Sequence, residues 1–375
     1  MSGIYIHIPY CKQQCTYCDF HFRISQKDKL EMLKSMEKEI EFKTNYLSTK
    51  SIKTIYFGGG TPSILNIKEI NSLINTIKDN YKISEDAEIT LECNPDDLTE
   101  KKLLSLKEVG INRLSIGIQS FKDKDLEFMN RSHNSKEGID CIKTAKKVGF
   151  NNITVDLIYG LPNQTVEEWE ENLDLLFSLD IQHISAYALT VENKTALNHL
   201  IKTGKIKALP DEKTIEQFNI LQEKTKERGF IHYEISNFGK ENFFSKHNTA
   251  YWQSKEYIGI GPSAHSFNGI SRSWNISSNK KYIDGIQDDK SFSEIEILTI
   301  EQQYNEYVFT SLRTIWGVDL DYLSERFLEN ITEHFLKEIA KWIEKGYIQK
   351  TNKKYTLTQK GKSFADGVSS DLFIV

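Results

Sequence analysis

Three cysteines stand at 11, 15 and 18 in the stretch CKQQCTYC, directly after a short β-rich run, IYIHI. Thiolates at this spacing bind metal, since the positions are too close together for a conventional disulfide framework. A structural zinc site takes four ligands, and so does the usual iron–sulfur cubane. Three thiolates on a cubane leave one iron with an open position, and an open position is how a metal site takes up a ligand. Zinc completed by His7 or His21 is the competing reading, although nothing else in the chain resembles a matching ligand pair. Cys93 and Cys141 are isolated in the sequence, so a reducing, cytoplasmic compartment is expected.

Other residues that can do chemistry follow β-rich runs. YFGGGTP (56–62) ends one run with three glycines, which let a ligand approach the backbone and expose N–H donors. Glu92, Gln119, Arg131 and Asp156 stand in LECNPDD, GIQSF, MNRSH and DLIYGLP. Each alone reads as an ordinary polar residue near a strand end.

The elements that must position these groups alternate. Strands are expected at 4–8, 54–57, 88–92, 113–118, 153–158 and 183–189, all rich in Ile, Thr, Tyr and Val. Amphipathic helices are expected at 28–47, 67–79, 167–177 and 212–229. Six βα units in a row imply a parallel sheet with its ligand site at the C-terminal strand ends. Periodicity does not distinguish an open sheet from an incomplete barrel. After about residue 236 the alternation fades into a Tyr-, Trp-, Ser- and Asn-rich stretch. A helical tail follows that ends helix, strand, turn at Asn352, strand, helix, an α+β pattern like a winged helix.

Bulk properties bound the function. The net charge of −5 over 375 residues argues against a nucleic-acid binder. The start MSGIYIHIPYC lacks the basic and long apolar regions of a signal peptide. No apolar run of about 18 residues predicts a transmembrane helix.

The cysteine spacing, in this place after the first strand, resembles the cluster motif of the radical S-adenosylmethionine (SAM) superfamily. The resemblance implies a partial (β/α)6 barrel of α/β class and a [4Fe–4S] cluster on Cys11, Cys15 and Cys18. It also implies SAM on the fourth iron, one-electron cleavage of SAM to a 5′-deoxyadenosyl radical, and hence an electron-donor protein. Gly59, Gly60 and Thr61 match the SAM amino-group site. Glu92, Gln119, Arg131 and Asp156 together match SAM-contacting positions of one subgroup, and Tyr5, Tyr17 and Ala188 match more loosely.

That subgroup is the oxygen-independent coproporphyrinogen III dehydrogenase-like (HemN-like) family. YIHIPYC, YFGGGTPS, RLSIGIQSF, DLIYGLPNQT and GIGPSAHSF look like its blocks. The expected organisation is a core at 1–236, a connecting segment at 237–295 and the family's small C-terminal domain at 296–375. The true dehydrogenases decarboxylate two propionates of a porphyrinogen. They carry a further cysteine two residues after the third ligand, and an extension before the first strand. Here Phe20 holds the cysteine's place, and only ten residues precede Cys11.

The heme-chaperone branch carries HNxxYW instead, and KHNTAYW (246–252) matches it at His247, Asn248, Tyr251 and Trp252. This match implies heme binding. An imidazole can ligate heme iron, while Tyr and Trp supply flat apolar area. His265 and His133 are candidate second ligands. The competing reading has His247 capping a loop and the aromatics filling a seam between domains. The expected function is a heme chaperone that binds heme, a [4Fe–4S] cluster and SAM, and transfers heme to an acceptor hemoprotein. The alternative is a dehydrogenase-type radical SAM enzyme acting on a porphyrinogen.

Overall fold

The structure is a computed structural model and describes residues 2–375. Six parallel strands lie side by side in chain order: β1 Ser2–Ile8, β2 Ser51–Gly59, β3 Lys82–Cys93, β4 Arg113–Gln119, β5 Ile153–Tyr159 and β6 His183–Ala188. Helices link them, as parallel neighbours require. Their N-termini are fixed locally: Asn66 with Glu69, Asn134 with Glu137 and Thr165 with Glu168 form reciprocal capping boxes.

Successive side chains on a strand point to opposite faces, and here the two faces differ in chemistry. Ile6 pairs with Phe57, Phe57 with Leu91, and Leu91 with Leu114. These residues belong to the main apolar core, with Leu73, Ile142 and Leu173 of the helices. The alternate positions are polar. Glu92 pairs with Ser115, Ser115 with Thr154, and Asp156 with Ser185. The six strands therefore form a partial barrel with an apolar outside under helices and a polar inside.

Residues 231–297 extend the same sheet at both edges. β7 Ile231–Glu234 and β8 Asn237–Gly239 form an antiparallel hairpin beside β6. β9 Tyr257–Ile260 runs parallel to β1, and β10 His265–Phe267, β11 Ser271–Asn275 and β12 Ser293–Ile297 follow antiparallel. The sequence pattern fades here because each of these six strands has only three to five residues, too few to show a period. The position 236/237 falls in the turn of the β7–β8 hairpin.

The C-terminal part has its own core of Tyr304, Val308, Phe335, Ile339 and Tyr355. Helices Ile300–Leu312 and Glu329–Glu344 pack with a three-stranded antiparallel sheet, β13 Val318–Asp319, β14 Ile348–Thr351 and β15 Lys354–Leu357. Asn352 turns β14 into β15 at a positive φ of 56°, a conformation asparagine tolerates.

Candidate functional site

A cavity of about 500 Å³ opens at the C-terminal ends of the parallel strands. Cys11, Cys15 and Cys18 stand on its wall as free, half-buried thiols. Burial pushes Cys11 and Cys18 up to about 11, so a metal must displace their protons. Two donors face the sulfurs. Thr61 Oγ1 donates to Cys11 Sγ and Arg131 Nη1 to Cys15 Sγ, each at 3.3 Å. Arg131 is fixed by Asn94 Oδ1 and Gly117 O, both 2.8 Å from Nη2. Its buried Nε has no partner, which leaves one donor beside the cavity for an anionic group.

The glycine turn works differently from the expectation of open N–H donors. Gly60 N–H donates to Ile8 O at 2.8 Å and Thr61 N–H to Tyr10 O at 2.7 Å. Both amides are committed to the strand-end backbone, so they cannot serve a ligand. Gly59 has φ +108°, and a Cβ there would strike the His7 ring at 2.7 Å. Only glycine fits that position.

The opposite wall carries acids. Tyr56 OH donates to Glu92 Oε1 at 2.8 Å. Burial, with Asp156 nearby, raises Glu92 to about 7. Burial also raises Asp156 to about 6, against hydrogen bonds from Ser115. Gln119 ends β4 in the left-handed region at φ 67°, a strain of the kind found at ligand sites. Tyr17 and Ala188 complete the lining, and Asn248 reaches it from the helix Lys246–Trp252.

Tyr5, His247, Tyr251 and Trp252 lie away from the cavity wall. Tyr5 sits beneath it, 6.2 Å from the Tyr56 ring and 6.4 Å from His247. His247 is 1 % exposed. Its Nδ1 lies 2.8 Å from Thr54 Oγ1 and its Nε2 2.8 Å from Tyr251 OH, so both ring nitrogens are engaged. Burial holds it down to about 3. Trp252 lies at the seam with the C-terminal part, 5.6 Å from the Arg313 guanidinium. His265 is exposed on β10, and His133 is buried against Ile118 O at 3.2 Å. The imidazoles that zinc would need are turned elsewhere: His7 Nε2 lies 2.9 Å from His21 O, and His21 Nε2 lies 2.8 Å from Asn279 Oδ1.

Sequence reasoning missed Tyr56, Asn94, Ser115, Ser185 and Tyr187, which also line the cavity. Ser115 and Gly117 on β4, like Ser185 and Tyr187 on β6, alternate with apolar residues, and that inward period of two was the available signal.

Comparison with known proteins places this geometry. The Radical SAM superfamily model matches residues 5–176, and the HemN C-terminal domain model matches 298–364. The heme chaperone HemW of Bacillus subtilis (strain 168) is 37 % identical over 375 residues, covering 98 % of each chain. The chain belongs to the HemW family of radical SAM proteins. HemW of Lactococcus lactis subsp. lactis (strain IL1403) is 30 % identical over 98 % of this chain and 96 % of its own. Among solved structures, the coproporphyrinogen III oxidase (HemN) of Escherichia coli aligns with a TM-score of 0.85 over 99 % of this chain and 90 % of its own. At 22 % identity that likeness establishes the fold.

Radical SAM membership implies a [4Fe–4S] cluster and SAM, and this HemW-family cavity has the donors for both. Three free thiols share one wall, two of them receive hydrogen bonds, and an unpartnered guanidinium nitrogen lies beside them. Among the described residues, no helix is long and apolar enough to cross a membrane.

Proposed function

We propose that this chain binds heme and delivers it to an acceptor hemoprotein, with a cluster and SAM in a supporting role. The observation that carries this reading is the complete HNxxYW segment in a chain 37 % identical, end to end, to a protein named heme chaperone. In this reading Cys11, Cys15 and Cys18 hold the [4Fe–4S] cluster. Gly59 and Gly60 offer carbonyl oxygens, not amides, to the SAM amino group, with Thr61, whose carbonyl accepts from Ile64 N–H at 3.0 Å, completing the turn. Glu92, Gln119, Arg131 and Asp156 take its polar ends, with Tyr5, Tyr17 and Ala188 around it. Cluster and SAM together supply one-electron chemistry when bound, with an electron-donor protein and a cytoplasmic setting as the matching partners.

The chain's own residues prepare that site. Thr61 and Arg131 donate to the cysteine sulfurs, while Glu92 keeps its proton up to about pH 7 and Asp156 up to about pH 6. Heme binding is assigned to His247, Asn248, Tyr251 and Trp252. Axial ligation by His247 requires it to give up Tyr251 or Thr54 as a partner.

The test is a heme titration of the anaerobically reconstituted protein, followed by its visible spectrum beside His247→Ala. Saturable, stoichiometric binding with altered axial ligation in the variant is expected. Binding that never saturates would sink the chaperone reading. Formation of 5′-deoxyadenosine coupled to loss of propionate carboxylates would turn the reading toward a porphyrinogen decarboxylase.

A further inference from the structure

A second cleft, of about 480 Å³, opens outward from the cavity mouth and shares Cys18, Asp19, Phe20 and Phe22 with it. Its wall is the segment after the third cysteine. Phe20, Phe22 and Ile24 line it at alternate positions. Phe20 is 68 % and Ile24 54 % exposed, an unfavourable placement for apolar side chains in water. The neighbouring backbone is tied down, which keeps them there. Cys11 N–H donates to Arg23 O at 3.0 Å and Arg23 N–H to Pro9 O at 2.9 Å. The His21 carbonyl and ring are held by His7 and Asn279. The exposed phenyl surface is thus part of an anchored segment.

Two cations complete the cleft. Arg23 and Lys194 line it, and among the described residues neither has a carboxylate within ion-pair distance. Asp19 is the one carboxylate among the lining residues, so Arg23 and Lys194 against Asp19 give the cleft a net charge of +1. The whole chain carries −5. A positive, aromatic cleft on an acidic protein is matched by a flat apolar molecule with carboxylates on its edge. Ring faces favour planar stacking, and unpaired Arg and Lys favour carboxylate.

We infer that this cleft is a heme-docking site, with the macrocycle against Phe20 and Phe22 and the propionates toward Arg23 and Lys194. The inference rests on the heme-chaperone reading and adds to it a first docking place on the surface, distinct from the 247–252 segment assigned above. It puts the incoming heme beside the cluster wall, at a position open to an acceptor protein. His247, buried and bonded through both nitrogens, offers no such access in this conformation. It also gives Phe20 a role at the position where dehydrogenases carry a cysteine.

The test titrates hemin into full-length, anaerobically reconstituted protein, reading the Soret band at low and high salt. The variants are R23E/K194E, K194E alone and F20S, with circular dichroism and cluster absorbance recorded on each. The double charge reversal should weaken binding about tenfold at low salt, and the difference should shrink at high salt. F20S should weaken binding at both salts. Lys194 lies on a loop remote in sequence from the cysteines, so K194E keeps the test readable if R23E/K194E fails to fold. Wild-type saturation with unchanged affinity in K194E and F20S overturns the docking site and leaves the chaperone reading standing. Wild-type binding that never saturates overturns both.

Discussion

The barrel interior holds two polar layers, and they use their hydrogen bonds in opposite ways. At the floor the side chains engage one another. Glu88 accepts from the backbone N–H groups of Lys246 and His247, each at 3.1 Å, and lies 3.8 Å from Arg113 Nε. Arg113 donates to Thr154, Thr154 meets His183 at 3.0 Å, and His183 meets Tyr233 OH at 2.7 Å. Thr54 and Tyr251 take both nitrogens of His247. At the mouth, similar residue types border a cavity and leave thiols, an Arg131 nitrogen and two raised carboxyls at its edge. Residue type therefore does not separate ligand site from scaffold here. Closure of the hydrogen bonds separates most of these groups, with Arg113 Nε the open donor at the floor, because a buried polar group left unmade is costly unless a ligand completes it.

The largest effect should break the mouth without touching the floor. Cys15→Ala removes a half-buried thiol on the cavity wall. Iron and sulfide per chain after reconstitution should fall to near zero, while the urea midpoint of the metal-free protein stays close to wild type. A full complement of iron in the variant would remove Cys15 from the ligand set.

Breaking the floor should show first in stability, although Arg113 also borders the cavity. Arg113→Met leaves Glu88 buried at 4 % exposure with only the helix N-terminus to balance its charge. The expected loss is about 3–5 kcal/mol of unfolding free energy, the usual cost of stripping one partner from a buried pair, measured by urea denaturation. Adding Glu88→Gln should recover part of it. A loss under about 1 kcal/mol would mean that the pair does not hold the floor together.

This contrast also explains what the sequence could and could not tell. Mouth residues were legible because chemistry dictates their spacing: Cys11, Cys15 and Cys18 within eight residues, and glycines at a strand end. The parallel core was legible because long strands and capped helices carry a clear period. The floor was not. His247 reads the same as ligand or as plug until Thr54, nearly two hundred residues away in sequence, is seen to meet it at 2.8 Å. Nor could periodicity show that residues 257–297 continue the sheet beside β1, since pairing of such short strands is set by tertiary contacts. The glycine turn misled in one detail, because the amides it exposes in isolation are taken by the carbonyls of Ile8 and Tyr10.

Acid and base should separate the two layers most finely. His247 and His183 at the floor are held below their ordinary range by burial, His247 to about 3. Between roughly pH 6.5 and 3 the unfolded chain binds protons that the folded floor refuses, so stability falls as pH falls. The mouth acids have the opposite sign. Glu92, raised from 4.5 to about 7, keeps a proton that the unfolded chain releases. Its contribution is present at low pH and is lost as pH rises from about 4.5 through 7. Glu92→Gln removes that loss while keeping an acceptor for Tyr56 OH. The variant should therefore gain on wild type between pH 5 and pH 8, by on the order of 1–2 kcal/mol, reduced from the full shift because Glu92 borders an open cavity. Urea denaturation of the metal-free proteins at the two pH values measures it. An equal stability difference at both would mean that the Glu92 carboxyl ionises in the folded cavity as it does in water, and that the mouth is wetter than its burial implies.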